Sequence, residues 1–157
     1  IFSWSVLTPK ALSILDKYIQ QYKFNSIIDP CCGNAFHTYL FNTILNLNIY
    51  SVDIQNELNS WSEINEIDGR SFLKNLSYKK HTQNILLLSW IDYESLTIEL
   101  LDLYKGNMVI SIGNYDKLSP NYIKQLNKKF QLIDTIILNM EWGLTEKIEV
   151  YIRKIFN

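Results

Sequence analysis

Two carboxylates, one helix apart around a glycine turn, are the residues of this chain best suited to holding a ligand. Ser26-Ile27-Ile28-Asp29 reads as a short buried strand ending in an acid, and Pro30-Cys31-Cys32-Gly33-Asn34 as a tight turn into a helix. Tyr50-Ser51-Val52-Asp53 reads as the next buried strand, again closed by an acid. Adjacent parallel strands ended this way form a nucleoside site, because the glycine lets backbone N–H groups approach the ligand and the second carboxylate accepts from both ribose hydroxyls. The pattern points to a cofactor carrying adenosine. Asp29, Cys31, Gly33 and Asn34 then hold its tail and Asp53 its ribose, while Asp68 of the Asp68-Gly69 pair is placed near the adenine amino group. Each has a plainer reading. The turn needs a glycine in any case, Asp53 suits a helix cap, and Asp-Gly is a common turn pair.

A second constellation lies in Leu86-Leu87-Leu88-Ser89-Trp90-Ile91-Asp92-Tyr93. It leaves the strongest strand of the chain where the crevice of an open α/β sheet opens. Ser89 there is placed beside the cofactor. Trp90 and Tyr93 offer an aromatic platform for a flat substrate, and Asp92 is the only obvious base. The alternative is that both aromatics belong to the core and Asp92 caps the helix that follows. Cys31, Cys32 and His37 invite a metal, but a closed zinc site takes four ligands. The only other histidine, His81, sits on a polar stretch, and no further cysteine exists, so no metal is expected. Lys79-Lys80-His81 and Lys128-Lys129 read as solvated surface.

The elements that must position these groups follow from periodicity. Thr8-Pro9 gives an N-cap with proline at the first helical position, and Ala11, Leu12, Leu15, Tyr18 and Ile19 share one face of that helix. Residues 36–47 form the helix after the turn, with Phe36, Leu40, Ile44 and Leu47 at core spacing. Strands are read over 49–54 and, weakly, 64–67. Residues 71–76 make one or two helical turns, and 77–83 a polar connection. Residues 84–90 are an uninterrupted apolar run, as in strands buried on both faces. A helix over 95–104 ends at a Lys105-Gly106 C-cap, a strand over 108–112 is closed by Gly113, and Ser119-Pro120 opens a helix reaching 128. Residues 130–138 and 147–155 then follow as two strands with no helix between them. The alternation predicts a doubly wound parallel sheet with helices on both faces. The closing hairpin predicts seven strands, the last antiparallel and inserted beside the fifth.

Composition narrows the classes. A chain of 157 residues fits one domain over 1–157, with an N-terminal segment and helix over 1–22 and a core sheet over 26–157. A net charge of −1 gives no global footprint for nucleic acid, and no apolar run is long enough to cross a bilayer. Adjacent free cysteines suit a reducing compartment, which points to the cytoplasm. The opening Ile1-Phe2-Ser3-Trp4-Ser5-Val6-Leu7 is too apolar for a free tail, and Trp4 is placed to cover the pocket. Beginning on Ile1, the chain fits a piece of a longer protein with a possible partner protein.

Several stretches together resemble a known family. Phe2-Ser3-Trp4-Ser5-Val6-Leu7-Thr8-Pro9-Lys10-Ala11-Leu12 is similar to a tyrosine-alanine-tryptophan-alanine-isoleucine-proline opening, and Leu86 to Tyr93 to a leucine run closed by Ser/Cys-Trp-Pro-Pro-Tyr. Tyr104-Lys105-Gly106 and Ile112-Gly113-Asn114 look like a Tyr-Arg-Gly turn and an Ile-Gly-Glu strand end, and Trp142-Gly143-Leu144-Thr145-Glu146-Lys147 like a Trp-Pro-Gly segment. In this order they resemble the pattern of a little-characterised group of class I S-adenosylmethionine-dependent methyltransferase-like proteins. Two departures stand out: the glycine-rich turn is reduced to Cys31-Cys32-Gly33-Asn34, and the paired prolines are Ile91-Asp92.

The resemblance implies a Rossmann-like class I methyltransferase fold binding S-adenosyl-L-methionine. Asp29, Gly33 and Asn34 would then lie at the methionine end. A methyl group would pass to an unidentified acceptor: small molecule, nucleic acid or protein. A second reading is a catalytically inactive methyltransferase-like binding or assembly module. A nicotinamide-dependent oxidoreductase is disfavoured by the missing Gly-x-Gly-x-x-Gly pattern and by the closing hairpin.

Overall fold

The computed structural model describes residues 7–56, 59–113, 119–139 and 145–155. The expected elements Trp4, Asn114 and residues 142–144 lie outside them. The order is α1 (Pro9–Gln21), β1 (Ser26–Asp29), α2 (Phe36–Leu45), β2 (Asn48–Asp53), β3 (Asn65–Glu66), α3 (Gly69–Asn75), α4 (Tyr78–Gln83), β4 (Asn84–Ser89), α5 (Glu94–Leu103), β5 (Met108–Gly113), α6 (Pro120–Lys129), β6 (Phe130–Asn139) and β7 (Thr145–Arg153).

The strands form one sheet in the order β3-β2-β1-β4-β5-β7-β6. Pairings among β1 to β5 are parallel, and β7 runs antiparallel to both β5 and β6, as the closing hairpin predicts. Chain reversal between β1 and β4 puts the C-terminal ends of both beside each other, which is where an open α/β sheet forms its crevice.

Period-two alternation splits the core into two layers. Ile27, Ile85, Leu87, Met108 and Ile110 face α1 and α2, and Ile28, Leu86, Leu88 and Val109 face α3, α5 and α6. Burying each such aliphatic side chain contributes about 1.5–3 kcal/mol, so the apolar run of β4 is the keel of the sheet. Thr8 Oγ1 accepts from the Ala11 N–H at 3.1 Å and Ser119 Oγ from the Tyr122 N–H at 3.0 Å, so both proline-marked helix starts are capped as expected.

Four expectations differ from the structure. The buried face of α2 is His37, Thr38, Phe41 and Leu45, one position round from the apolar stripe, and Ile44 is exposed. Polar partners explain the rotation: Thr38 Oγ1 donates to the Ala35 carbonyl and accepts from Ser51 Oγ, and His37 Nδ1 meets Ser89 Oγ at 3.0 Å. The polar connection at 77–83 is in fact α4, capped by Ser77 and anchored by buried His81. The third strand is two residues long. Gly106 is no left-handed cap, since Tyr104 closes α5 in an extended conformation. A Cβ at Gly106 would lie 2.3 Å from the His81 carbonyl oxygen and 2.3 Å from the Tyr104 hydroxyl, so the glycine serves close approach.

The end of α1 yields a prediction. The Phe24 N–H donates to the Ile19 carbonyl at 3.0 Å and the Lys23 N–H to the Gln20 carbonyl at 3.2 Å, the paired bonds of a Schellman turn. Lys23 sits at the left-handed position with φ 58° and is exposed, where glycine is the strain-free residue. Lys23→Gly should raise unfolding stability by about 1 kcal/mol, and denaturant melts in which it fell would contradict this.

Candidate active site at the C-terminal edge of the sheet

Three left-handed residues cluster where the strands end: Gly33 (φ 54°), Ala35 (φ 61°) and Trp90 (φ 51°). Such conformations cost of order 1–3 kcal/mol for a non-glycine residue and gather at functional sites. Trp90 borders a cavity of about 300 Å³, lined also by Pro30, Cys31, Asp53, Ile54, Asp68, Gly69, Arg70, Ile91, Asp92, Tyr93 and Leu96. Its walls therefore come from the ends of β1, β2 and β4 and from the starts of α3 and α5. The structure thus brings Cys31, Asp53, Asp68, Trp90, Asp92 and Tyr93 together around one space, and leaves Asp29, Gly33, Asn34 and Ser89 off its lining.

Asp29 is 2% exposed, with Oδ1 buried and lacking a hydrogen-bond partner among the described residues. Burial pushes its carboxyl up to about 7, opposed by a hydrogen bond from the Cys31 N–H and assisted by the nearby charge of Asp53. The folded protein therefore keeps a proton that the unfolded chain releases near pH 4. Its contribution to stability is present below that pH and is lost as pH rises towards 7. The thermal midpoint should fall by about 5–10 °C between pH 5 and pH 8 relative to an Asp29→Asn variant measured in parallel. Parallel pH profiles for the two proteins would exclude this role for Asp29.

Asp53 holds the turn itself. Its Oδ2 accepts from the Gly33 N–H at 2.9 Å and its Oδ1 from the Gln55 N–H at 3.3 Å. Asn34 Oδ1 accepts from the Phe36 N–H at 3.2 Å, and its carbonyl from the Trp61 N–H at 2.8 Å, tying the loop after β2 to the turn. Trp61 lies edge-on to Phe36 at 5.1 Å. The thiols of Cys31 and Cys32 are both pushed up by burial first and by neighbouring carboxylates second, Cys31 to about 12. Both thus stay protonated and unreactive near neutral pH.

Asp68 is both a cap and an ion-pair partner. It accepts from the Arg70 and Ser71 N–H groups and forms a two-pronged pair with the Arg70 guanidinium, at 3.1 Å to Nε and 2.8 Å to Nη2. Hydrogen bonding to Arg70 holds its carboxyl down at about 2. Gly69 behind it is more than a turn residue, because a Cβ there would lie 2.4 Å from the Pro30 carbonyl oxygen.

At the mouth of β4, the Trp90 N–H donates to the Ile112 carbonyl at 3.0 Å, and Trp90 packs partly buried against the α1–α2 layer. Tyr93 is 72% exposed and is no core residue. No side chain caps α5, so Asp92 does not fill the capping role. Sequence reasoning missed Ile54, Arg70 and Leu96. Ile54 had a signal, being the apolar residue directly after Asp53, while Arg70 had none.

No family model and no curated protein matches the chain. Among solved structures it is similar to the Burkholderia thailandensis 1,6-didemethyltoxoflavin-N1-methyltransferase, bound to 1,6-didemethyltoxoflavin and S-adenosylhomocysteine. The TM-score is 0.64 at 11% identity, over 94% of this chain and 78% of that one. It is also similar to the Bacillus subtilis M1A22 tRNA methyltransferase, with TM-score 0.60 and 18% identity over 95% and 68%. The Synechocystis PCC 6803 magnesium protoporphyrin IX methyltransferase, with bound S-adenosylhomocysteine, gives TM-score 0.59 and 12% identity over 92% and 82%. Likeness at such identities concerns architecture alone, and the architecture of this chain is the Rossmann-like methyltransferase fold.

Proposed function

We propose that this chain binds S-adenosyl-L-methionine at the sheet edge and transfers its methyl group to an acceptor entering past Trp90, Asp92 and Tyr93. The observation that carries the reading is the cavity at the ends of β1, β2 and β4, with Asp53 on its wall and Asp29 behind its glycine turn. Residues of this chain suit such a cofactor. Ile54, Ile91 and Leu96 offer apolar wall for a base, Asp53 retains lone pairs for ribose hydroxyls, and the orphaned Asp29 Oδ1 suits an amino group. Bound there, S-adenosyl-L-methionine supplies a methyl group on a sulfonium, and the sulfur departs as a neutral thioether when an acceptor lone pair takes that methyl. The chain's task is to orient: the Gly33 turn and Asp53 fix one side, and the Trp90 turn fixes the acceptor side. Asp92 is the group placed to take the proton that the acceptor loses.

Titration calorimetry of the protein with S-adenosylhomocysteine should give saturable binding in the micromolar range, about −8 kcal/mol. Absence of heat at millimolar ligand would remove the cofactor assignment.

A further inference from the structure

Asp29 is the carboxylate that the fold leaves half-served. It closes β1 opposite Ser51 of β2, and its side chain is 2% exposed. The Cys31 N–H gives it one hydrogen bond, while Oδ1 has no donor among the described residues. An ionised carboxylate taken out of water needs a cation or several donors to stay charged. The titratable groups on the elements that meet at this end of β1 are Cys31 and Cys32 in the turn, His37 on α2, Asp53 on β2, and Asp68 and Arg70 on α3. α1 buries only apolar residues, and β4 carries no titratable group. Burial holds both thiols protonated. His37 meets Ser89, and Arg70 is committed to Asp68 and Glu99. Asp53 does act on Asp29, with a charge of the same sign. Before a ligand binds, the acid is therefore buried beside a like charge, and its carboxyl is pushed up to about 7.

S-adenosyl-L-methionine and S-adenosylhomocysteine both end in an amino acid, whose ammonium group would bring the cation that the orphaned oxygen lacks. We propose that Asp29 is the neutral acid before binding, and that seating the cofactor's ammonium releases this proton and leaves a carboxylate–ammonium pair. The O–H bond of the carboxyl breaks, its proton passes to solvent, and the ammonium keeps all of its own. The proposal rests on the cofactor reading above and adds to it a proton switch that answers to the ligand's tail and not to its nucleoside. Binding favours the ionised form, so affinity rises with pH below about 7 and levels off above it.

Titration calorimetry of the full chain tests this with two ligands, S-adenosylhomocysteine and 5′-methylthioadenosine. The second keeps the nucleoside and the thioether and lacks the amino acid. Between about pH 5.5 and 7.5, affinity for S-adenosylhomocysteine should rise about 20-fold and that for methylthioadenosine by less than about twofold. At acid pH, heats compared across buffers of different ionisation enthalpy should show close to one proton released with the first ligand and none with the second. Asp29→Asn should bind S-adenosylhomocysteine more weakly, with a flat pH profile and no proton release. The wild-type comparison of the two ligands stands even if that variant fails to fold. Saturable S-adenosylhomocysteine binding with a flat profile overturns the switch and leaves the cofactor reading intact. So does equal proton release with both ligands, or release that persists in Asp29→Asn. If neither ligand binds, the cofactor reading falls and the switch with it.

Discussion

Asp53→Ala is expected to weaken S-adenosylhomocysteine binding by about 100-fold, the largest loss for any single side chain around the cavity. Two effects add. The carboxylate accepts from the Gly33 N–H at 2.9 Å, so its removal leaves a donor of the left-handed turn without that partner. On the proposed cofactor reading its remaining lone pairs go to the ribose, and their loss would strand hydroxyls in a partly closed site. Hydrogen bonds to a charged group are worth about 1.5–3 kcal/mol, so losing most of both reaches about 3 kcal/mol, or 100-fold. Asp53→Asn keeps one oxygen for the Gly33 N–H and forfeits the charge, so it should fall between the two. Calorimetry on the three proteins decides. Wild-type affinity in the alanine variant would mean that Asp53 only organises the turn.

The second large effect is expected at Gly69. A Cβ there meets the Pro30 carbonyl oxygen at 2.4 Å and the Pro30 Cβ at 2.8 Å, contacts that no rotamer change relieves. Gly69→Ala must push the start of α3 away from the β1–α2 turn, and overpacking of this kind costs about 1–3 kcal/mol or more. In a chain of this size each kcal/mol lowers the melting temperature by about 2–4 °C, so a drop of up to about 10 °C is expected. Because Pro30, Asp68 and Gly69 are all cavity walls, affinity for S-adenosylhomocysteine should fall with it. Gly113 gives the control. Among the described residues nothing lies within 4 Å of its added Cβ, and its φ is not positive, so Gly113→Ala should melt within about 2 °C of wild type. Equal melting temperatures for the alanine variants at 69 and 113 would refute the close-packing argument.

Helix α2 shows where pattern reading stops. Its apolar residues define one stripe, yet the helix buries an adjacent one containing His37 and Thr38. Hydrophobic periodicity weighs each side chain alone, whereas a polar side chain turns inward when a partner waits across the sheet. Here those partners are Ser89 and Ser51, on β4 and β2. Asp68 is a parallel case. The Asp-Gly pair was visible in the sequence, but Arg70 two residues on claims its carboxylate, and Glu99 from α5 holds the guanidinium in place.

What the amino-acid order determined by itself was the alternation of strands and helices, the proline-marked helix starts, the glycine turn between two acid-ended strands, and the closing hairpin. These follow from local rules: the period of apolar residues, the fixed φ of proline, and the absence of a helix signal between the last two strands. Only the tertiary structure decided which carboxylates face the cavity and what each is bonded to. Asp29 became a buried acid with an orphaned oxygen, Asp53 the clasp of the Gly33 turn, Asp68 a cap paired to Arg70, and Asp92 a cavity-wall carboxylate with no hydrogen bond or ion pair among the described residues. A carboxylate's role depends on donors and solvent within a few ångströms, and those neighbours come from strands and helices far apart in the chain, brought together only when the sheet closes.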